Sequence, residues 1–276
     1  MRRGRSRKHI AILSLAIVLA LYAVIAYFLL PFAWTHYEHQ KGLANLPMVT
    51  RTGQGIPGDP INVGLVGGKD DIVCAMHAAK WYPADPITLK SSLAIVGSVV
   101  LDRPYHDAPV SPLFYQGRRE DLAFEKPDGR SADRRHHVRV WKALESGEEG
   151  RPVWIGAVTY DRGVGLSRYT GQVTHHIAPD IDAERDRLID DLKAAKVVLA
   201  IYEVTGVGPT LNGRNGEGDH YYTDGEMKIA ALVAGCQATA EVTVELDNPP
   251  LVQLKNAAWD PIAAILRATD DASRPQ

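Results

Sequence analysis

Two pairs of adjacent histidines are the residues of this sequence best suited to chemistry near neutral pH. His136 and His137 lie within the basic segment 134–141, and the second pair lies at 175–176. Imidazole titrates near neutrality and binds metals. Because side chains alternate between the two faces of a strand, His137 and Arg139 are predicted to share one face, while His136 points into the core. His137 is therefore a candidate catalytic base, and Arg139 a candidate ligand for an anion.

The second pair comes directly before a predicted acidic helix. Free backbone N–H groups at a helix start favour an anion, for which His175 is a candidate ligand. His176 is a candidate base or, with Asp180 and Asp182, a candidate metal ligand. Acids at this position more often cap the helix and complement its dipole. The sequence leaves these roles open and favours capping for the acids.

A glycine-rich polar loop at 212–225 is the third candidate. Glycines let the backbone approach a ligand closely, and Arg214 is suited to clamping an oxyanion. Asp219 and Asp224 are candidate catalytic acids or bases, and His220 is a further candidate ligand. The alternative, a mobile hairpin connection, has equal weight.

Composition and motifs exclude several functions. The net charge of -2 and the pI of about 6.6 give no basic excess, so nucleic acid is not expected as a partner. The chain has no Walker loop, no G-x-S-x-G, no H-E-x-x-H and no C-x-x-C. A metal-dependent or histidine-based hydrolase, with a divalent metal as its cofactor, stays open.

An N-terminal membrane anchor is predicted over residues 9–32. The stretch 10–32 carries no charge and has about the twenty residues that a spanning helix needs. Five cations lie in the first eight residues, which predicts a cytoplasmic N-terminus and an extracytoplasmic domain attached to the inner membrane. A cleaved signal peptide fits less well, because no small-x-small site follows the apolar stretch.

The remaining pattern predicts a linker at 33–57, a globular domain at 58–245, and a C-terminal helix and tail at 246–276. Helices and strands alternate early and strands dominate later, which favours an α/β (mixed α+β) domain with a central, largely mixed sheet. Asp260 and Pro261 are predicted to begin the last helix. Cys74 and Cys236 are interpreted as small buried hydrophobes rather than as a disulfide, although pairing stays possible if the fold brings them together.

The main elements expected from periodicity are helices at 69–81, 89–100 and 180–196 and strands at 61–67, 113–116, 136–141, 153–159, 197–205 and 227–233.

Over about residues 58–233, these segments resemble the family named after the C-terminal domain of the LssY protein. The resemblance rests on GDPINV at 58–63, APVSPL at 108–113, QGR at 116–118, DLAFEK at 121–126, RHHVRVW at 135–141, PVWIGA at 152–157, THH at 174–176, DIDAERD at 180–186 and the loop at 212–225.

The resemblance implies a place in the bacterial envelope. The family has no agreed catalytic residues that could be carried over to this sequence. In larger relatives, this domain is joined to membrane segments similar to phosphatidic acid phosphatases and DedA-type proteins, which points toward a phosphorylated lipid or polyprenyl ligand. This chain lacks the lipid-phosphatase signature, so that activity is not transferred. The expected function is to bind, and in one version to hydrolyse, an anionic envelope ligand. The alternative is a non-catalytic module that binds an envelope protein or polymer.

Overall fold

The chain begins with one long apolar helix. The computed structural model describes residues 3–84, 112–129, 134–235 and 239–273. Helix α1 (Arg3–Val24) continues through a π-helical turn (Ile25–Leu29) into α2 (Leu30–Trp34), and we call the whole the anchor helix. Its segment Arg7–Trp34 is long and apolar enough to cross a membrane, and the most apolar 18 residues of it are not buried. The predicted apolar helix is therefore present.

The segment after the anchor helix belongs to the folded domain, so the predicted linker at 33–57 is wrong. Leu43 is fully buried in a 3-10 turn (Lys41–Leu43), and Thr50 is buried in the first strand. The backbone N–H of His36 donates to Thr205 Oγ1 over 2.8 Å. Apolar residues are too sparse here to show a period, yet they cover one face of the sheet.

Fifteen strands are found among the described residues. In chain order they are β1 (Val49–Arg51), β2 (Pro57–Pro60), β3 (Val63–Val66), β4 (Tyr82–Pro83), β5 (Phe114–Tyr115), β6 (Arg118–Arg119), β7 (Leu122–Pro127), β8 (Arg135–Leu144), β9 (Val153–Leu166), β10 (Val173–Ile177), β11 (Val198–Thr205), β12 (Asn212–Arg214), β13 (His220–Tyr222), β14 (Glu226–Leu232) and β15 (Val244–Glu245).

The main sheet is mixed and contains nine of these strands. Its order is β15-β11-β14-β3-β9-β8-β7-β4, and β10 pairs with an extension of β9. The β14–β3 and β11–β15 pairs are parallel, whereas the others are antiparallel. A smaller sheet has the order β2-β1-β5-β6, and β12 and β13 form a hairpin. The predicted mixed α+β domain with a central sheet is confirmed.

Each face of the main sheet has its own core. Helices α3 (Lys69–Ala78) and α4 (Ile181–Ala194) cover one face, where Met76 and Leu188 pack with Val138. The smaller sheet and the segment after the anchor helix cover the other face, where Tyr115 packs near Trp141. Burying each large apolar side chain contributes about 1.5–3 kcal/mol, so both faces stabilise the sheet.

Strand β8 lies inside the main sheet, between β7 and β9, and sends its side chains alternately to the two cores. Val138 and Val140 point toward α3 and α4, whereas Trp141 belongs to the opposite core. His137 lies opposite Thr159 in β9. The alternation predicted for this strand is present, and it places His137 and Arg139 on the face away from α3 and α4.

The C-terminal helix is longer than predicted. Helix α5 runs over Pro250–Ser273 and contains Pro261, so Asp260 and Pro261 do not begin it. Proline removes one helical hydrogen bond, but the helix is held by packing of Trp259 and Ala263 against Tyr222. The predicted helix at 89–100 lies outside the described residues.

Cys74 is also placed differently from the sequence interpretation. It is half-buried in α3 and is disulfide-bonded, so it is not the free buried thiol that was predicted. Cys236, the other cysteine of the sequence, lies outside the described residues.

Candidate functional site

A small polar cavity of about 40 Å³ lies where β8, β9 and β10 meet the loop between β12 and β13. We call it the Arg139 pocket. It is lined by Thr52, Gly58, Asp59, Leu113, Arg135, His137, Arg139, Asp161, Thr174, His175, Ile177, Asn215, Gly216 and Glu217.

Arg135 forms one wall of the pocket and is neutralised by two buried carboxylates. Its Nη1 lies 2.9 Å from Glu125 Oε2, and its Nε lies 3.1 Å from Asp161 Oδ2. All three side chains are almost completely buried. A buried charge is tolerated only when it is paired and hydrogen-bonded, so this cluster fixes β7, β8 and β9 at the pocket.

Arg139 contributes the second guanidinium. Its Nη1 lies 3.5 Å from Asp59 Oδ2, and Asn215 Nδ2 donates to the other oxygen of Asp59 over 3.1 Å. Burial lowers the pKa of Arg139, opposed by the nearby carboxylates, of which Asp59 has the largest effect. Asp59 thus joins strand β8 to the loop that covers the pocket.

His137 lies between a hydroxyl and a carboxylate. Thr159 Oγ1 is 2.9 Å from its Nε2, and Asp161 Oδ2 is 3.2 Å from its Nδ1. Burial lowers the pKa of His137, which favours the neutral imidazole at pH 7. Burial alone would raise the pKa of Asp161, but His137, His175 and Arg135 outweigh burial and lower it. The pocket therefore contains an ionised carboxylate beside a neutral imidazole.

The second histidine pair divides between two positions. His175 lines the Arg139 pocket, whereas His176 does not. His176 Nδ1 lies 2.7 Å from Asp219 Oδ1, and the backbone N–H of Ile177 donates to Asp219 Oδ2 over 3.1 Å. The structure thus brings together two separate candidates, His176 and Asp219, outside the lining of the pocket.

Two other candidates from the glycine-rich loop, Arg214 and His220, lie outside the pocket. Arg214 is exposed and donates to Gly218 O over 2.7 Å, and His220 Nε2 lies 2.6 Å from Asn212 Oδ1. Burial and Arg214 lower the pKa of His220.

Asp224 belongs to a separate ion-pair network. Both of its oxygens accept from the guanidinium of Arg185, over 2.8 and 3.0 Å. Burial alone would raise the pKa of Asp224, but Arg185 outweighs burial and lowers it. Asp224 is therefore held as a structural ion pair rather than beside the pocket.

The two aspartates at the start of α4 act on the helix and on its neighbours. Asp180 accepts from the backbone N–H of Ala183 over 3.0 Å, which is the expected cap. Asp182 accepts from Thr223 Oγ1 and from the backbone N–H of Asp224, both over 2.6 Å. Burial raises the pKa of Asp182 to about 7.

These contacts bear directly on the predicted metal site. Within the described ranges, no group of three or more His, Cys, Asp or Glu side chains has the arrangement of a metal site. His176, Asp180 and Asp182 each make different contacts, so the predicted metal set is not brought together.

A larger cleft, of about 440 Å³, opens on the opposite face of β8. His136 lines it with its Nδ1 2.8 Å from Glu184 Oε1, and Tyr160 donates to Asp128 over 2.6 Å. His136 was predicted to point into the core, and it is indeed buried, but at the edge of this cleft. Four carboxylates and two arginines line the cleft, so its excess of negative charge is larger than that of the Arg139 pocket, where three carboxylates and two arginines lie beside two histidines.

The pocket also contains residues that the sequence analysis did not single out. Asp161 lies directly opposite Arg135 in the β8–β9 pairing, and Asp59 lies in the GDPINV motif. An Asp within an apolar strand is the signal that would have identified Asp161, because a buried carboxylate requires a cation nearby.

Comparison with known proteins identifies the family. No curated protein and no solved structure matches the chain. The family model described as LssY C-terminus matches residues 43–227, which is more than half of the chain and includes every residue that lines the Arg139 pocket. The match also begins inside the segment that was predicted as a linker. The chain therefore belongs to the LssY C-terminus family.

Proposed function

We propose that this protein is anchored in a membrane with its N-terminus in the cytoplasm, and that its extracytoplasmic domain binds the terminal anionic group of an envelope ligand in the Arg139 pocket. One observation carries the binding proposal. Three segments that are distant in sequence contribute Arg139, His175 and Asn215 to a single cavity. Each segment was already a candidate by its residue types.

The charges around the anchor helix support the orientation. Arg2, Arg3, Arg5, Arg7 and Lys8 precede the apolar stretch, whereas Glu38 and Lys41 are the first charged residues after it. Cations stay on the cytoplasmic side during insertion. The disulfide at Cys74 is consistent with this orientation, because disulfides persist mainly in oxidising compartments outside the cytoplasm.

The size of the pocket indicates what part of a ligand enters it. A cavity of about 40 Å³ has room for roughly three water-sized groups, since one water needs about 10–15 Å³ by this measure. A whole lipid or sugar does not fit. The oxygens of a terminal phosphate or carboxylate do, with the rest of the ligand outside.

The charge balance of the pocket makes the binding of an anion depend on pH. Arg135 and Arg139 already face the carboxylates of Glu125, Asp161 and Asp59. An entering anion therefore requires additional positive charge, which protonation of His137 supplies. Because burial lowers the pKa of His137, we expect the affinity for an anion to rise as the pH falls below the ordinary range of imidazole.

Isothermal titration of the detergent-solubilised full chain with phenyl phosphate tests this proposal. We expect Arg139→Gln to weaken binding at least roughly tenfold, because a charge-assisted hydrogen bond contributes about 1.5–3 kcal/mol. His137→Gln should remove most of the pH dependence. Arg214→Gln is the matched control, since Arg214 is exposed outside the pocket, and its affinity should stay within about twofold of the wild type.

Thermal unfolding of each variant separates lost binding from lost folding. Equal weakening by Arg139→Gln and Arg214→Gln in folded proteins would contradict the pocket assignment, as would affinity that does not change with pH. Phosphate release from the same ester, if present in the wild type and absent in His137→Gln, would add hydrolysis to binding.

The exposed hairpin β12–β13 favours a second candidate function, a non-catalytic module for an envelope protein or polymer. Arg214 and His220 present polar groups on its outer surface. In that case, phenyl phosphate would not bind, and Arg214→Gln would weaken partner binding more than Arg139→Gln.

A further inference from the structure

Helix α5 carries an exposed apolar stripe. Leu254 and Ile265 are 67% and 65% exposed, and the other members of the stripe are exposed as well. Intervals of three and four residues, with one adjacent pair at 261–262, place them on one side of the helix. The stripe consists of Leu251, Leu254, Ala258, Pro261, Ile262 and Ile265.

The stripe is separate from the face by which α5 packs on the domain. Val252, Trp259 and Ala263 are buried and point to a different side of the helix. Trp259 and Ala263 pack against Tyr222 of β13. Because the domain core already has its own contact face on α5, the stripe is an additional apolar surface that no described part of the chain covers.

The position of α5 indicates what covers the stripe. Lys255 lies in its second turn, and its Nζ is 4.5 Å from the centre of the Trp34 ring, at the end of the anchor helix. Lys255 Nζ also donates to Asp224 O over 2.9 Å and contacts Glu226, so it is fixed to the domain. The first turns of α5 are thus held beside the point where the anchor helix ends.

We propose that the stripe of α5 inserts into the outer lipid leaflet of the membrane that holds the anchor helix. This inference rests on the proposed membrane anchor. It is supported by proximity, since Lys255 of α5 contacts Trp34 at the end of the apolar anchor helix. At 24 residues, α5 is about 36 Å long, and a stripe along such a helix suits the boundary between headgroups and acyl chains.

Insertion of the stripe depends on apolar burial rather than on charge. Interfacial helices that select anionic lipids present several cations on their polar face. The two cations of α5 are instead held by groups of the protein, Lys255 by Asp224 O and Glu226 and Arg267 by Asp180. The α5 surface should therefore insert equally well into zwitterionic and anionic lipid.

Insertion also positions the domain. A single anchor helix leaves the domain free to rotate about the membrane normal and to tilt, whereas a second contact fixes its orientation relative to the membrane. The Arg139 pocket then has a defined height and direction with respect to lipid-linked ligands.

Spin labels on the full chain in phosphatidylcholine nanodiscs test this inference. Each of four variants carries one label. The labelled positions are Ala258→Cys and Ile262→Cys in the stripe, Asp260→Cys on the polar side of α5, and Leu21→Cys in the anchor helix. Labelling is done without reductant to keep the native disulfide. We expect collisions with oxygen to dominate at Ala258, Ile262 and Leu21, and collisions with a water-soluble nickel chelate to dominate at Asp260. Phosphatidylglycerol in the disc should change none of these.

The four positions separate the two proposals. Nickel access at Ala258 and Ile262 equal to that at Asp260, with Leu21 in lipid, overturns the α5 inference and leaves the anchor proposal intact. Nickel access at Leu21 overturns the anchor proposal and this inference with it. Dipolar broadening between stripe labels would show that a second copy covers the stripe, and would also overturn the inference.

Discussion

Asn62 shows how a single buried polar residue joins two elements of the fold. Its Nδ2 donates to Val158 O over 3.0 Å and to Ile181 O over 3.1 Å, and its Oδ1 accepts from Val158 N–H over 2.9 Å. The side chain thus ties the start of α4 to strand β9. It is 1% exposed, so water cannot replace these hydrogen bonds.

We predict that Asn62→Ala destabilises the protein by about 2–4 kcal/mol, because it leaves buried backbone groups of β9 and α4 unpaired. Asn45→Ala, at an exposed position, is the control and should stay within about 0.5 kcal/mol of the wild type. Urea unfolding of the two variants in the same detergent measures the difference. Similar midpoints for both variants would show that Asn62 is not a structural tie.

Sequence reasoning reached some site residues and missed others for a physical reason. The two-residue period of a strand was enough to place His137 and Arg139 on one face. No local pattern states that Asp224 pairs with Arg185, because these two residues come from different elements that only the fold brings together. The predicted roles of Arg214 and Asp224 therefore relied on residue type alone.

At the scale of elements, the segment just after the anchor helix, strand β14 and helix α5 meet at Glu226. This carboxylate is 1% exposed, contacts Lys255 of α5 and lies 3.2 Å from His36 Nε2, just after the anchor helix. Burial raises the pKa of Glu226 to about 8, although Lys255 acts in the opposite direction. Burial also lowers the pKa of His36. The junction of three elements therefore favours uncharged Glu226 and His36.

The stability of this junction should fall as the pH rises. A carboxyl group whose folded pKa of about 8 exceeds the ordinary 4.5 stabilises the fold when protonated, so this contribution is complete below pH 4.5 and lost as the pH rises through 8. We expect Glu226→Gln to gain melting temperature relative to the wild type between pH 5 and about 8.5, by several degrees. Glu145→Gln, at an exposed position, should follow the wild type throughout. A pH-independent difference between Glu226→Gln and the wild type would contradict the prediction.

The elements also differ in how well the sequence predicts them. Helix α4 was recognised with its cap, because a strong apolar period and an N-terminal acid coincide there. The start of α5 was misplaced because Asp260 and Pro261 have the residue types of a helix start. Packing of Trp259 and Ala263 on Tyr222 carries the helix through that proline, and such packing is invisible to local rules.

For the whole molecule, the proposal with the widest consequences is the side of the membrane on which the domain folds. In the proposed arrangement the anchor helix attaches the domain to the outer face of the membrane, and the disulfide of Cys74 fits that side because disulfides persist mainly in oxidising compartments. The sequence contains only two cysteines, so Cys236 is the expected partner. The location of the domain and the formation of its disulfide can therefore be measured independently and compared.

We predict that alkaline phosphatase fused after Gln276 is enzymatically active in bacterial cells. Green fluorescent protein fused at the same position should not fluoresce, because it is exported with the domain. In membranes isolated with thiols blocked, peptide mapping without reductant should give one linked peptide pair containing Cys74 and Cys236. The variant Cys74→Ser should lose this pair and about 2–5 kcal/mol of stability, because the cross-link no longer restricts the unfolded chain.

Moving the five N-terminal cations to the far side of the apolar stretch provides the control, since it should reverse the orientation and leave both cysteines reduced. An active reporter with free thiols would separate the two arguments, because the domain would then be outside the cytoplasm without needing the disulfide. An inactive phosphatase fusion together with a fluorescent fusion of green fluorescent protein would instead place the domain in the cytoplasm. That result would remove the basis for an envelope ligand.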